Sequence, residues 1–137
     1  MQTLLATEVR ANMGSFIDTV VREKPQAIRR NRDVIVATSQ SHMKFLLEAY
    51  ELNFEYEQDE DDRFFGSLEE IDFIVADGAT LEELKENLAY QLIEYSKDYT
   101  EDFQKYFAAP NTKKHAPYVL RVSLQDDVES VVALLHG

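Results

Sequence analysis

The chain has 137 residues, 45% of them hydrophobic and none of them cysteine. That is enough apolar material for one ordinary domain or two small ones, and it excludes disulfide frames and thiolate metal sites. No basic-then-apolar leader follows Met1, and the longest apolar runs fall far short of the roughly 20 residues that cross a bilayer, so a cytoplasmic protein with no membrane partner is expected.

A formal net charge of −12 argues against a nucleic-acid binder, because phosphates must be met by Lys and Arg. The distribution of charge reverses that inference. Residues 1–50 hold seven Lys/Arg against five Asp/Glu, net +2, while residues 51–137 hold seven against twenty-one, net −14. Such segregation predicts two modules with different clients, 1–51 meeting a polyanion and 52–137 meeting a basic protein.

In the first module, Thr3–Ala6 reads as a short strand and Thr7 as the N-cap of a helix starting at Glu8. Val9, Met13, Phe16, Ile17, Val20 and Val21 recur at the spacing of one buried helical face, with Gly14 as the weak point between two short helices. Pro25 ends the pattern. Gln26–Arg29 and Val34–Thr38 read as a hairpin turning at Arg30-Asn31-Arg32-Asp33. Ser39 then caps a helix with Met43, Leu46, Leu47 and Tyr50 on one face. About fifty residues hold too little core to be stable alone, so pairing with a second copy is expected.

The second module opens with a strand at Asn53–Gln58. The run Asp59-Glu60-Asp61-Asp62 is a solvated hairpin tip, since four adjacent acids repel one another in any buried site, and Arg63-Phe64-Phe65-Gly66-Ser67-Leu68 follows. Ile71–Ala76 reads as a third strand with a turn at Asp77-Gly78. Thr80-Leu81-Glu82-Glu83 is a capping box. The long helix after it carries Leu81, Leu84, Leu88, Leu92, Tyr95, Tyr99 and Phe103 on one stripe and is bounded by Pro110. The alternation of Tyr118, Leu120, Val122 and Leu124 predicts a strand over His115–Leu124, and Asp126 or Asp127 caps a last helix with Val128, Val131, Val132 and Leu135 inward. The class is α+β, with the second module ordered β-β-β-α-β-α.

Reactive chemistry is missing. His42, His115 and His136 do not stand at metal-ligand spacing, and no nucleophile elbow or Gly-rich phosphate loop occurs. No enzyme, metal or cofactor is therefore expected. Asp72 and Asp77, flanking the third strand, offer the one alternative, a pair of magnesium ligands in a nuclease, but strand-end acids are ordinarily just solvated. The aromatic helix over Tyr90–Phe107 also carries Glu94, Asp98, Glu101 and Asp102, which repel phosphates, so protein contact suits it better than base stacking.

The stretch Ala6-Thr7-Glu8-Val9-Arg10-Ala11-Asn12-Met13-Gly14-Ser15-Phe16, then Lys24-Pro25 and Ile28-Arg29-Arg30-Asn31-Arg32-Asp33-Val34-Ile35-Val36, resembles the prevent-host-death (Phd/YefM) antitoxins. The resemblance implies a two-fold dimer that binds operator DNA and represses its own operon. Carried over residue by residue, it puts Arg10 and Arg30 on DNA. With Arg10 read in the first turn of its helix, that helix start adds Thr7, and the hairpin turn adds Arg29 and Arg32. Residues 53–124, with Asp77-Gly78-Ala79-Thr80-Leu81-Glu82-Glu83-Leu84, resemble the HicB-type antitoxin domain, a relative of the RNase H fold that docks a toxin without catalysis.

The expectation is thus an antitoxin that represses as a homodimer and neutralises a basic, RelE-like toxin, with Phe64, Phe65, Tyr95 and Tyr99 as partner anchors. The rival is a repressor whose second domain binds a ligand or mediates assembly, with no toxin.

Overall fold

The computed structural model describes residues 1–137, and the chain separates into two compact units, 1–46 and 47–137. The expected boundary at 51/52 lies five residues further along. Both units mix helices with a small sheet, so the molecule is of the α+β class.

In the first unit, strand β1 (Thr3–Leu5) runs directly into helix α1 (Ala6–Ala11). The cap expected at Thr7 is displaced. Leu5 keeps an extended backbone at the N-cap, its amide donating to the Glu8 carboxylate at 3.3 Å, and Thr7 lies inside the helix. The helical run breaks at Asn12 rather than at Gly14, and α2 (Met13–Arg22) follows. Strands β2 (Gln26–Arg30) and β3 (Asp33–Ala37) form the hairpin, joined by Asn31 and Arg32. Asn31 takes φ 55°, a left-handed geometry that its short polar side chain tolerates. β1 pairs parallel with β2, so the order β1-β2-β3 leaves β3 an open edge. The Ser39 hydroxyl caps α3 (Gln40–Leu47), accepting from the His42 amide at 3.2 Å.

The apolar stripe of α1 and α2 is only partly internal. Val9 and Val20 are buried, but Met13, Ile17 and Val21, spaced by four, are half exposed. Leu46 and Tyr50, expected on a buried face with Leu47, are exposed. Val9, Val20 and Ala27 are the buried apolar residues of residues 1–46, too few to hold such a unit by burial alone.

In the second unit, β4 (Leu52–Gln58) and β5 (Phe64–Leu68) form a hairpin whose tip is the acidic run. Asp59 organises that tip, its carboxylate accepting from the amides of Asp61 at 2.9 Å and Arg63 at 2.8 Å, and Asp62 adopts φ 60°. The third strand lies later than expected. Ile71 and Ile74 are buried in a turn, and β6 (Val75–Gly78) takes in Asp77 and Gly78 as strand residues. The cause is local: the Ile74 amide closes on the Ile71 carbonyl at 3.0 Å, so these apolar residues enter the core from a turn.

Helix α4 (Leu81–Glu101) starts as the capping box predicts, the Glu83 amide donating to the Thr80 hydroxyl at 3.1 Å and the Ala79 amide to the Glu83 carboxylate at 3.3 Å. It ends at Asp102, well before Pro110. Short helices α5 (Phe103–Ala108) and α6 (Pro110–Lys113) follow, with Pro110 opening α6 where its missing N–H costs nothing.

The strand expected over His115–Leu124 is a helix, α7 (Ala116–Ser123). Seven of the ten positions there are apolar, so a two-residue and a three-residue period both fit. Burial decides between them: Ala116, Val119 and Val122 are the buried positions, three apart. Asp127 caps α8 (Val128–Val132), accepting from the Ser130 amide at 2.8 Å. Two residues then form β7 (Leu135–His136), parallel to β4, giving the sheet order β6-β5-β4-β7. The element order thus departs from β-β-β-α-β-α, with helices filling the place of the fourth strand.

Leu52, Phe54 and Leu68 from the sheet meet Leu84, Leu88 and Leu92 of α4, with Val122, Val131 and Leu135 completing the core. Tyr99, Ala116 and Val119 make a second cluster.

Candidate functional site

The first unit exposes its arginines. Arg10, Arg29, Arg30 and Arg32 all face solvent, as does Thr7. α1 spans six residues and puts Arg10 in its last turn, so the expected support from a helix start is withdrawn. Arg10 forms no ion pair, and Glu8, two positions earlier on α1 and so on a different side of the helix, accepts from the Leu5 amide. Arg29 and Arg30, adjacent on β2, point to opposite faces of the sheet. Arg30 lies 3.9 Å from Asp33 across the hairpin end, an exposed pair of little energetic consequence. Arg32 sits in the turn itself. The hairpin end thus offers guanidinium groups on both faces and at its tip.

The same unit exposes apolar side chains. On the edge strand β3, Val34, Ile35 and Val36 are 53%, 61% and 60% exposed, so both faces of that strand are uncovered in the single chain. A long apolar open edge invites pairing with another chain.

The second unit presents one face of its sheet to α4 and the other to solvent. Phe54, Phe64, Gly66 and Ala76 point toward α4, where Leu84 comes so near Gly66 that a Cβ there would lie 3.1 Å from its side chain. The outer face carries two cross-strand rows, Glu57–Phe65–Asp77 and Glu55–Ser67–Val75. These residues line a shallow open groove. Arg63 holds Asp77 at 2.8 Å, and that pairing raises the arginine further above its ordinary value. Desolvation, with Glu55 and Glu70 close by, lifts the Glu69 carboxyl above the usual carboxylate range.

The four expected anchors separate. Phe65 projects outward, 46% exposed. Phe64 packs against the core from the inner face. Tyr95 is half-buried and bonded to His115, and Tyr99 is 0% exposed, its hydroxyl donating to the Thr112 carbonyl at 2.9 Å. Tyr99 is therefore packing and offers a partner no surface. Glu55, Glu57 and Val75 join Phe65 without having been anticipated. The Glu55 and Glu57 alternation with Phe54 and Tyr56 was a readable signal, whereas Val75 was hidden by the misplaced third strand.

No group of three or more His, Asp and Glu is placed to hold a metal ion. Asp77, one of the two acids considered for magnesium, is engaged by Arg63. No helix is long and apolar enough to cross a membrane.

A crystal structure at 1.80 Å from Syntrophomonas wolfei subsp. wolfei, described as the antitoxin part of a candidate toxin/antitoxin system, is 38% identical, covers 99% of this chain and 97% of its own, and superposes with a TM-score of 0.92. No curated protein matches. A PHD-like family profile, "Antitoxin of toxin-antitoxin, RelE / RelB, TA system", matches residues 1–137, across both units. The protein is thus an antitoxin, a regulatory protein rather than an enzyme. The chain belongs to the PHD-like antitoxin family.

Proposed function

We propose that this antitoxin is a homodimer that represses its own operon through the first unit and neutralises a basic, RelE-like toxin through the second. The observation that carries the reading is the opposition of charge: exposed arginines on residues 1–46 and an open, carboxylate-lined sheet on residues 47–137. The second unit serves as a folded docking platform of the HicB kind.

Dimerisation rests on apolar surface that one copy leaves open. β3 is an edge strand, and the exposed stripe Met13, Ile17 and Val21 lies on α2 of the same unit. Covering both would supply the core that one copy lacks. A pair of copies then presents two sets of Arg10, Arg29, Arg30 and Arg32, with Thr7 beside them, to the two halves of a palindromic operator. Operator and toxin would both be met in the cytoplasm.

Coexpression with the reading frame adjoining its gene tests the reading. Alone, that product arrests growth; with this antitoxin, growth recovers and the two proteins copurify. Absence of both arrest and copurification overturns it.

A further inference from the structure

The geometry points to the outer face of the β4-β5-β6 sheet as the surface that docks the toxin, with Phe65 and Val75 as apolar anchors inside a frame of Glu55, Glu57 and Asp77. This rests on the reading of the second unit as the toxin-binding one.

A sheet packed on one side carries polar side chains on its solvated side. Here the middle of the solvated side breaks that pattern: Phe65 is 46% and Val75 58% exposed, on neighbouring strands one register row apart. Ser67, next to Phe65 on this face of β5 and directly opposite Val75, is small and leaves the groove open. β4 borders this apolar pair with Glu55 and Glu57, and β6 borders it with Asp77. The one cation at the rim, Arg63, is already engaged by Asp77.

An apolar centre within a charged rim is the layout of a specific protein interface. The rim decides the occupant. Nucleic acid and anionic ligands are repelled, and a second copy would bring the same carboxylates face to face. A protein surface that presents one apolar side chain among Lys and Arg satisfies both parts.

The test uses the full-length chain and the toxin purified from the coexpressed pair. Phe65→Ala with Glu57→Lys, both on the solvated side, leaves the core intact, as circular dichroism would verify. The comparison variant, Asp98→Lys with Glu101→Lys, changes charge by at least as much on the exposed side of α4. The sheet variant should raise the toxin Kd by about 30-fold or more, as for loss of a central anchor. The α4 variant should change it by less than about threefold, as for a rim charge.

Equal weakening by both variants reduces the effect to long-range charge and overturns the assignment. Unchanged toxin affinity in the sheet variant, whether or not its solution mass halves, also overturns it, and a halved mass would give the face to a second copy. A wild-type chain that forms no toxin complex removes the toxin reading itself and this surface with it.

Discussion

The Tyr95 hydroxyl on α4 lies 2.7 Å from Nδ1 of His115, the residue leading into α7, and Phe73 packs edge-on against both rings. Burial, then Lys114, holds the imidazole below its ordinary range against an opposing pull from Asp72, while burial pushes Tyr95 up to about 12. At neutral pH the pair is uncharged and ties α4 to the start of α7 beside the second core cluster.

Acid should therefore destabilise the second unit through His115. As pH falls through the ordinary histidine range, about 6.5, the unfolded chain takes up a proton that the folded chain refuses, so stability present above that range is lost below it. Replacing His115 by Gln should flatten the fall in Tm between about pH 7 and 5. Parallel profiles for the two proteins would contradict this. Tyr95→Phe, which leaves the buried ring nitrogen unpaired, should cost about 1–2 kcal/mol at neutral pH by urea unfolding.

The joint between β6 and α4 depends on Gly78. A Cβ there would meet the Leu84 amide nitrogen at 2.5 Å and the Glu83 backbone at 3.0 Å, both within the first turn of α4. Gly78→Ala should destabilise by about 1–3 kcal/mol through forced separation of strand and helix. Thr80→Ala, which deletes the cap on Glu83, should cost about 1 kcal/mol. Chemical denaturation measures both, and a neutral Gly78→Ala would mean that the helix start shifts freely.

The edge strand makes a prediction about assembly. Ile35→Glu places a charge on a side chain 61% exposed in the single chain, so an isolated unit should tolerate it. In a dimer built on β3 it would be buried without a partner, so sedimentation should show about half the wild-type mass. Operator binding should fall with it. A variant that keeps the wild-type mass would move the interface elsewhere.

The local signals that proved readable were those that backbone chemistry fixes within a few residues. The Ser39, Thr80 and Asp127 caps and the two hairpins needed only their immediate neighbours. Reading failed where tertiary packing chose between two local fits. His115–Leu124 satisfies strand and helix periods alike, and the packing of Ala116, Val119 and Val122 into the core selects the helix. Ile71 and Ile74 looked like strand residues because they are apolar, yet they reach the core from a turn. Met13, Ile17 and Val21 form a true stripe, but in the single chain it is half exposed. At the candidate surface, Phe64, Phe65, Tyr95 and Tyr99 were indistinguishable as anchors in the sequence; the strand register turns Phe65 outward and Phe64 inward, and the packing of α7 buries Tyr99.

The central claim, that cationic and acidic surfaces of one chain serve separate clients, is tested most directly by a band-shift titration of the upstream DNA. Arg10→Ala with Arg32→Ala should weaken binding at least about tenfold and lower the salt slope by roughly 0.9 for each phosphate no longer neutralised, while Phe65→Ala with Glu57→Lys leaves affinity unchanged. Undiminished binding by the arginine variant, or abolished binding by the sheet variant, would contradict it.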